Sequence, residues 1–79
     1  MKRVNIMKYY DRMKATRNDA DETQEKIAAY LKITRQQYQL YESGKRTIPL
    51  DLLQAFCTHY NVSSDYILGL PKNLKWPNE

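Results

Sequence analysis

Residues 23–42 hold two helix-type apolar repeats with a gap of only three or four residues between them, and this joint limits the possible folds more than any other feature. Ile27, Ala28 and Leu31 share one face of a helix that Thr23 caps at its start. Past Leu31-Lys32-Ile33, Thr34 and Gln37 have the spacing of a capping box, in which a hydroxyl and an amide satisfy two orphan backbone donors. Tyr38 and Tyr41 then face inward, and Gly44 supplies the left-handed conformation that ends a helix. So short a connection lets the two helices cross nearly at right angles. Ala28 suits the crossing, where backbones approach closely, while Ile33, Tyr38 and Tyr41 lock it from inside.

The flanking segments read as helix too. A first helix is expected from about Lys8 to Asp19, with Tyr9, Met13, Thr16 and Ala20 as a thin apolar stripe. Pro49 fits the first turn of a fourth helix, where its missing donor would be unpaired anyway. Leu50, Leu53, Phe56, Cys57 and Tyr60 form the apolar face of that helix. Ser63 caps a short fifth helix, Asp65 favours its positive end, and Tyr66, Ile67 and Leu68 complete the core before Gly69 and Pro71 stop it. No alternating strand pattern occurs. The expected fold is all-α, a compact bundle of about five short helices. It forms one domain over 1–79, with its core at about 9–70 and a polar tail at 71–79 that carries Leu74 and Trp76.

Composition narrows the chemistry. Thirteen Lys and Arg against nine Asp and Glu leave a net charge of +4, which suits an anionic partner. Acid clusters at Asp19, Asp21, Glu22 and Glu25, whereas Lys32, Arg35, Lys45 and Arg46 surround a single acid, Glu42. Cys57 is alone, so no internal disulfide is possible, and an unpaired thiol fits a reducing interior. No run approaches the roughly 20 apolar residues of a membrane span. A cytoplasmic chain without a membrane partner is therefore expected.

Catalytic and metal chemistry find no support. On a helix Cys57 and His59 point about 200° apart and cannot share a metal, so a buried Cys beside a surface His is expected. One His offers no nucleophile–base pair, and no glycine loop is present to cradle phosphate. Asp19, Asp21 and Glu22 lack calcium-loop spacing and read as a solvated linker. Among the seven tyrosines, Tyr30, Tyr38, Tyr41, Tyr60 and Tyr66 recur at core spacings, which favours packing over base stacking. No catalytic residue, metal or cofactor is expected.

The strings Thr23-Gln24-Glu25-Lys26-Ile27-Ala28-Ala29-Tyr30-Leu31 and Ile33-Thr34-Arg35-Gln36-Gln37-Tyr38-Gln39-Leu40-Tyr41-Glu42-Ser43-Gly44-Lys45-Arg46 resemble the Cro/CI-type (Xre) helix-turn-helix regulators. The likeness continues through Pro49-Leu50-Asp51-Leu52-Leu53 and Asn61-Val62-Ser63-Ser64-Asp65-Tyr66-Ile67-Leu68-Gly69, covering roughly residues 9–70. It implies a lambda-repressor-like bundle whose helix after Thr34 enters the major groove of double-stranded DNA. The implied function is sequence-specific regulation of transcription, as a repressor, by a homodimer on a palindromic operator.

The resemblance also implies residue roles. Gln24 would hold a phosphate and brace the first polar residue of the reading helix. Arg35 and Gln36 would read base edges, since Arg bonds bidentately to guanine and Gln to adenine. Leu40 would offer apolar contact to a thymine methyl, with Gln37 and Gln39 flanking it. Lys45 and Arg46 would neutralise phosphates, and Arg17 with Glu42 would tie the first helix to the third. Three departures stand out: Lys32 where the family has Gly, Glu22 where it has Leu, and Thr16 where it has an apolar residue. A second reading is an antitoxin-like module for a protein partner, with autoregulatory DNA binding, served by the Leu74 and Trp76 tail.

Overall fold

The computed structural model describes residues 7–75 and 77 and folds them into five helices, with no strand among the described residues. They are α1 (Tyr9–Asp19), α2 (Gln24–Leu31), α3 (Arg35–Glu42), α4 (Leu50–Tyr60) and α5 (Ser64–Leu68). Side chains set three of the starts. Thr23 Oγ1 accepts from the Lys26 N–H at 3.1 Å, Thr34 Oγ1 from the Gln37 N–H at 3.0 Å, and Ser63 Oγ from the Asp65 N–H at 3.0 Å. Gln37 returns the bond to the Thr34 N–H at 3.1 Å, closing the capping box. Pro49 stands one position earlier than expected: it is the extended N-cap of α4, at φ −64° and ψ 151°, not a first-turn residue.

The stops are more uniform than the sequence suggested. After α1, α2, α4 and α5 a residue turns left-handed, and the next N–H reaches back to a carbonyl five residues earlier: Glu22 to Arg17, Ile33 to Ala28, Val62 to Cys57 and Leu70 to Asp65. The left-handed residues are Asp21, Lys32, Asn61 and Gly69. Lys32 adopts φ 62° and ψ 38°, so the turn between α2 and α3 keeps its left-handed geometry without glycine, at a cost of about 1 kcal/mol.

Met13, Ile27, Tyr38, Phe56 and Ile67 are fully buried, surrounded by Ala28, Leu31, Tyr41, Ile48, Leu53 and Cys57. Five residues expected on apolar faces are not in the core. Tyr66 and Leu68 stay about half exposed, because α5 is little more than one turn and drives only Ile67 inward. Tyr66 instead lies under the Arg12 guanidinium, 5.4 Å from its ring centroid. Leu50 overhangs the start of α4 at 80% exposure, and Tyr30 lies outside α2 against the His59 ring. Ala20, expected on the apolar stripe of α1, is exposed at its C-cap. Thr16, expected on the same stripe although the family has an apolar residue there, is buried. Trp76 falls outside the described residues.

Gly44 is required twice over. Its φ is +82°, and a Cβ there would come within 2.5 Å of the Tyr10 ring. Gly69 has φ +74° but nothing nearer than 3.7 Å. Gly44→Ala should therefore cost about 1–2 kcal/mol from backbone strain plus the displacement of Tyr10, and Gly69→Ala the strain alone. Urea midpoints of the two variants measure the difference; equal losses would mean that Tyr10 contributes nothing to this packing.

Candidate nucleic-acid interface

The exposed surface of α3 is oriented by one buried carboxylate. Glu42, 5% exposed at the end of α3, accepts four hydrogen bonds. Arg17 Nε donates to Oε2 at 2.8 Å and Arg17 Nη2 to Oε1 at 3.0 Å, a bidentate pair. Gln24 Nε2 donates to Oε1 at 2.9 Å, and the Tyr38 hydroxyl to Oε2 at 2.6 Å. One side chain thus ties α3 to the end of α1 and the start of α2. The expected Arg17–Glu42 pair exists, and it is buried rather than superficial. Burial alone would push the Glu42 carboxyl up, but the bonds from Arg17, Tyr38 and Gln24 outweigh it and hold the group below its usual value of 4.5.

That balance has a consequence at low pH. A carboxylate whose pKa is depressed in the folded state contributes stability above the unfolded value and loses it as pH falls through the folded one. Stability should therefore fall as pH drops below 4.5, where the unfolded chain begins to take up the proton. Glu42→Gln should be less stable at neutral pH and flatter on this acid limb. Urea unfolding from pH 7 to pH 3 measures both; parallel curves for the two proteins would remove Glu42 from the acid response.

With Tyr38, Tyr41 and Glu42 turned inward, α3 presents Arg35, Gln36, Gln37 and Gln39 to solvent, with Leu40 half-buried at the edge. Gln36, Gln39, Leu40 and Ser43 make one stripe by their three- and four-residue spacing. Ser43 shares that stripe and was not singled out by sequence reasoning. Arg35 occupies the first turn of α3, which has no acidic residue. A cation at the positive end of a helix is unfavourable by a few tenths to about 1 kcal/mol. An anion arriving at that end would reverse the sign.

The remaining expected site residues divide. Gln24 is half-buried and its amide is engaged with Glu42; the described hydrogen bonds do not include one from Gln24 to Arg35, so it braces the last residue of α3 rather than the first. Gln37 is committed to the Thr34 cap, which leaves its amide nitrogen as its outward group. Lys45 and Arg46 are exposed, and the Arg46 N–H bonds the Leu40 carbonyl at 3.1 Å, folding the basic turn back beside the end of α3. Arg35, Gln36, Gln39, Lys45 and Arg46 therefore lie along α3 and the turn that follows it.

The family described as helix-turn-helix matches residues 13–67, the span from the first core methionine to the last core isoleucine. The chain belongs to this family. Its type is that of the Cro/CI (Xre) DNA-binding regulators of transcription. An uncharacterised HTH-type transcriptional regulator, YobD, of Bacillus subtilis (strain 168) is 37% identical over 62 residues, covering 78% of this chain and 55% of the relative. The chain thus spans about half the length of that curated relative. No solved structure matches. Among the described residues, no helix of this helix-turn-helix protein is long and apolar enough to cross a membrane, and no three His, Cys, Asp or Glu side chains come together to hold a metal.

Sequence reasoning misplaced two groups near this frame. Glu22, expected in a solvated linker, is half-buried, with Oε1 2.9 Å from His59 Nε2 and 3.0 Å from the Tyr60 hydroxyl. His59, expected at the surface, is accordingly half-buried beside Tyr30 and Tyr60. Cys57 is buried as expected. The signal available in the sequence was the replacement of the family's apolar residue by Glu22, which required a polar partner somewhere in the fold.

Proposed function

We propose that the chain is a sequence-specific repressor of transcription that inserts α3 into the major groove of duplex DNA. The observation that carries this reading is Arg35 at the positive end of α3, heading a stripe of the exposed Gln36 and Gln39 and the half-buried Leu40 on a helix held by the buried Glu42. Arg35 and Gln36 read guanine and adenine edges, Leu40 meets a thymine methyl, and Lys45 and Arg46 neutralise phosphates. Gln24 retains a second amide hydrogen for a phosphate beside its bond to Glu42.

The active form is a homodimer in the cytoplasm, bound to a palindrome with half-sites about 10 bp apart. Support for the second copy is a groove of about 470 Å³ between α4 and α5, in which Leu50, Leu53, Cys57, Val62 and Leu68 alternate with the polar Gln54, Thr58, Asn61 and Ser64. Selection of bound duplexes from a random library tests the whole reading. A recurring palindrome is the expected result; enrichment of no sequence refutes it and favours a chain whose main partner is a protein.

A further inference from the structure

We propose that Glu22, acting with His59 and Tyr60, is a positioning residue for the DNA-reading surface, holding the loop before α2 against the end of α4. This rests on the DNA-binding reading above. Three observations carry it. Glu22 Oε1 meets both His59 Nε2 and the Tyr60 hydroxyl, the last two side chains of α4, at 2.9 and 3.0 Å. The backbone carbonyl of the same residue accepts from Arg17 Nη1 at 2.7 Å, the shortest of the Arg17 contacts. Arg17 in turn holds Glu42, and Glu42 holds Gln24.

A continuous polar chain therefore runs from α4 through the loop and α1 to the end of α3 and the start of α2. An apolar residue at position 22 would pack but would bind neither His59 nor Tyr60. The loop also carries a left-handed residue, Asp21 at φ 58°, so its path depends on tertiary anchoring more than on local preference. The two α4 side chains supply that anchor. A carboxylate only accepts, so with Glu22 ionised the His59 proton sits on Nε2, and the Tyr60 hydroxyl donates alongside it. The His59 bond, then Tyr60, holds the Glu22 carboxyl below its usual range although burial opposes this. Charged and titratable neighbours around the contact are Lys26 and Tyr30 from α2, Arg17 from α1, and Glu42 and Tyr38 from α3.

Positioning is separable from stability. Glu22→Ala and Tyr60→Phe, measured at a temperature where each is fully folded, should bind the duplex enriched by selection about tenfold more weakly, the scale of one charge-assisted hydrogen bond. Glu22→Gln keeps an acceptor for both donors and should restore most of the affinity. In the free protein, the NMR resonances of the Arg17 Nε–H and Gln24 side-chain amide should move in Glu22→Ala and return in Glu22→Gln. Tyr60→Phe guards against an alanine variant that fails to fold. Unmoved resonances would overturn the clamp, and moved resonances with unchanged affinity would overturn its role in positioning. If the wild-type chain selects no duplex, the DNA reading and the positioning role fall together, while the free-protein resonances still report whether Glu22 holds Arg17.

Discussion

Arg17→Ala is expected to lower the unfolding free energy by about 3–5 kcal/mol, because it strands a buried carboxylate without its cation. Glu42 would keep the Tyr38 hydroxyl and the Gln24 amide but lose both guanidinium bonds, and the Glu22 carbonyl would lose its donor as well. A chain of this length has on the order of 5–10 kcal/mol in total, so the variant sits near the edge of folding. Its thermal midpoint, followed by circular dichroism, should drop by at least about 12 °C. Replacing both partners, Arg17→Met with Glu42→Met, should recover only part of the loss: it removes the stranded charge, but the buried Tyr38 hydroxyl loses its acceptor. If Arg17→Ala proved as stable as wild type, the pair would be no more than a surface contact, contrary to its burial.

Specificity should fail at a different residue. Arg35→Ala is expected to reduce discrimination between the selected site and a site mutated at the contacted base pair by about 10- to 100-fold, with general affinity mostly kept. Arg35 is exposed and makes no hydrogen bond among those described, so its removal leaves the fold alone. Lys45→Ala should behave in the opposite way, weakening all duplexes alike and reducing the salt slope by about one unit. Fluorescence anisotropy on matched and mismatched duplexes over a salt series separates the two. Unchanged selectivity in Arg35→Ala would move the reading surface elsewhere on the chain.

Helix starts were readable because their causes are local. Thr23, Thr34 with Gln37, and Ser63 each satisfy backbone donors within three residues, so a short window of sequence contains the interaction. Stops were less so. Gly44 and Gly69 announced left-handed turns, whereas Asp21 and Asn61 did not, and Lys32 read as a departure from the family's Gly where the structure keeps the left-handed turn and bears the strain. The apolar spacings identified Met13, Ile27, Tyr38 and Phe56 correctly. They failed at Leu50, Tyr66 and Leu68, since periodicity says which residues share a face but not whether a neighbour covers it.

The sequence by itself determined five helices, the joint between α2 and α3, and the membership that goes with its motifs. Those depend on caps, spacing and small residues at fixed separations along the chain. Only the tertiary structure decided how that joint is held. Glu42 gathers donors from residues 25, 18 and 4 positions away, and Glu22 reaches 37 and 38 positions to His59 and Tyr60. A buried charge must find partners wherever the fold brings them, and no local rule states where that is.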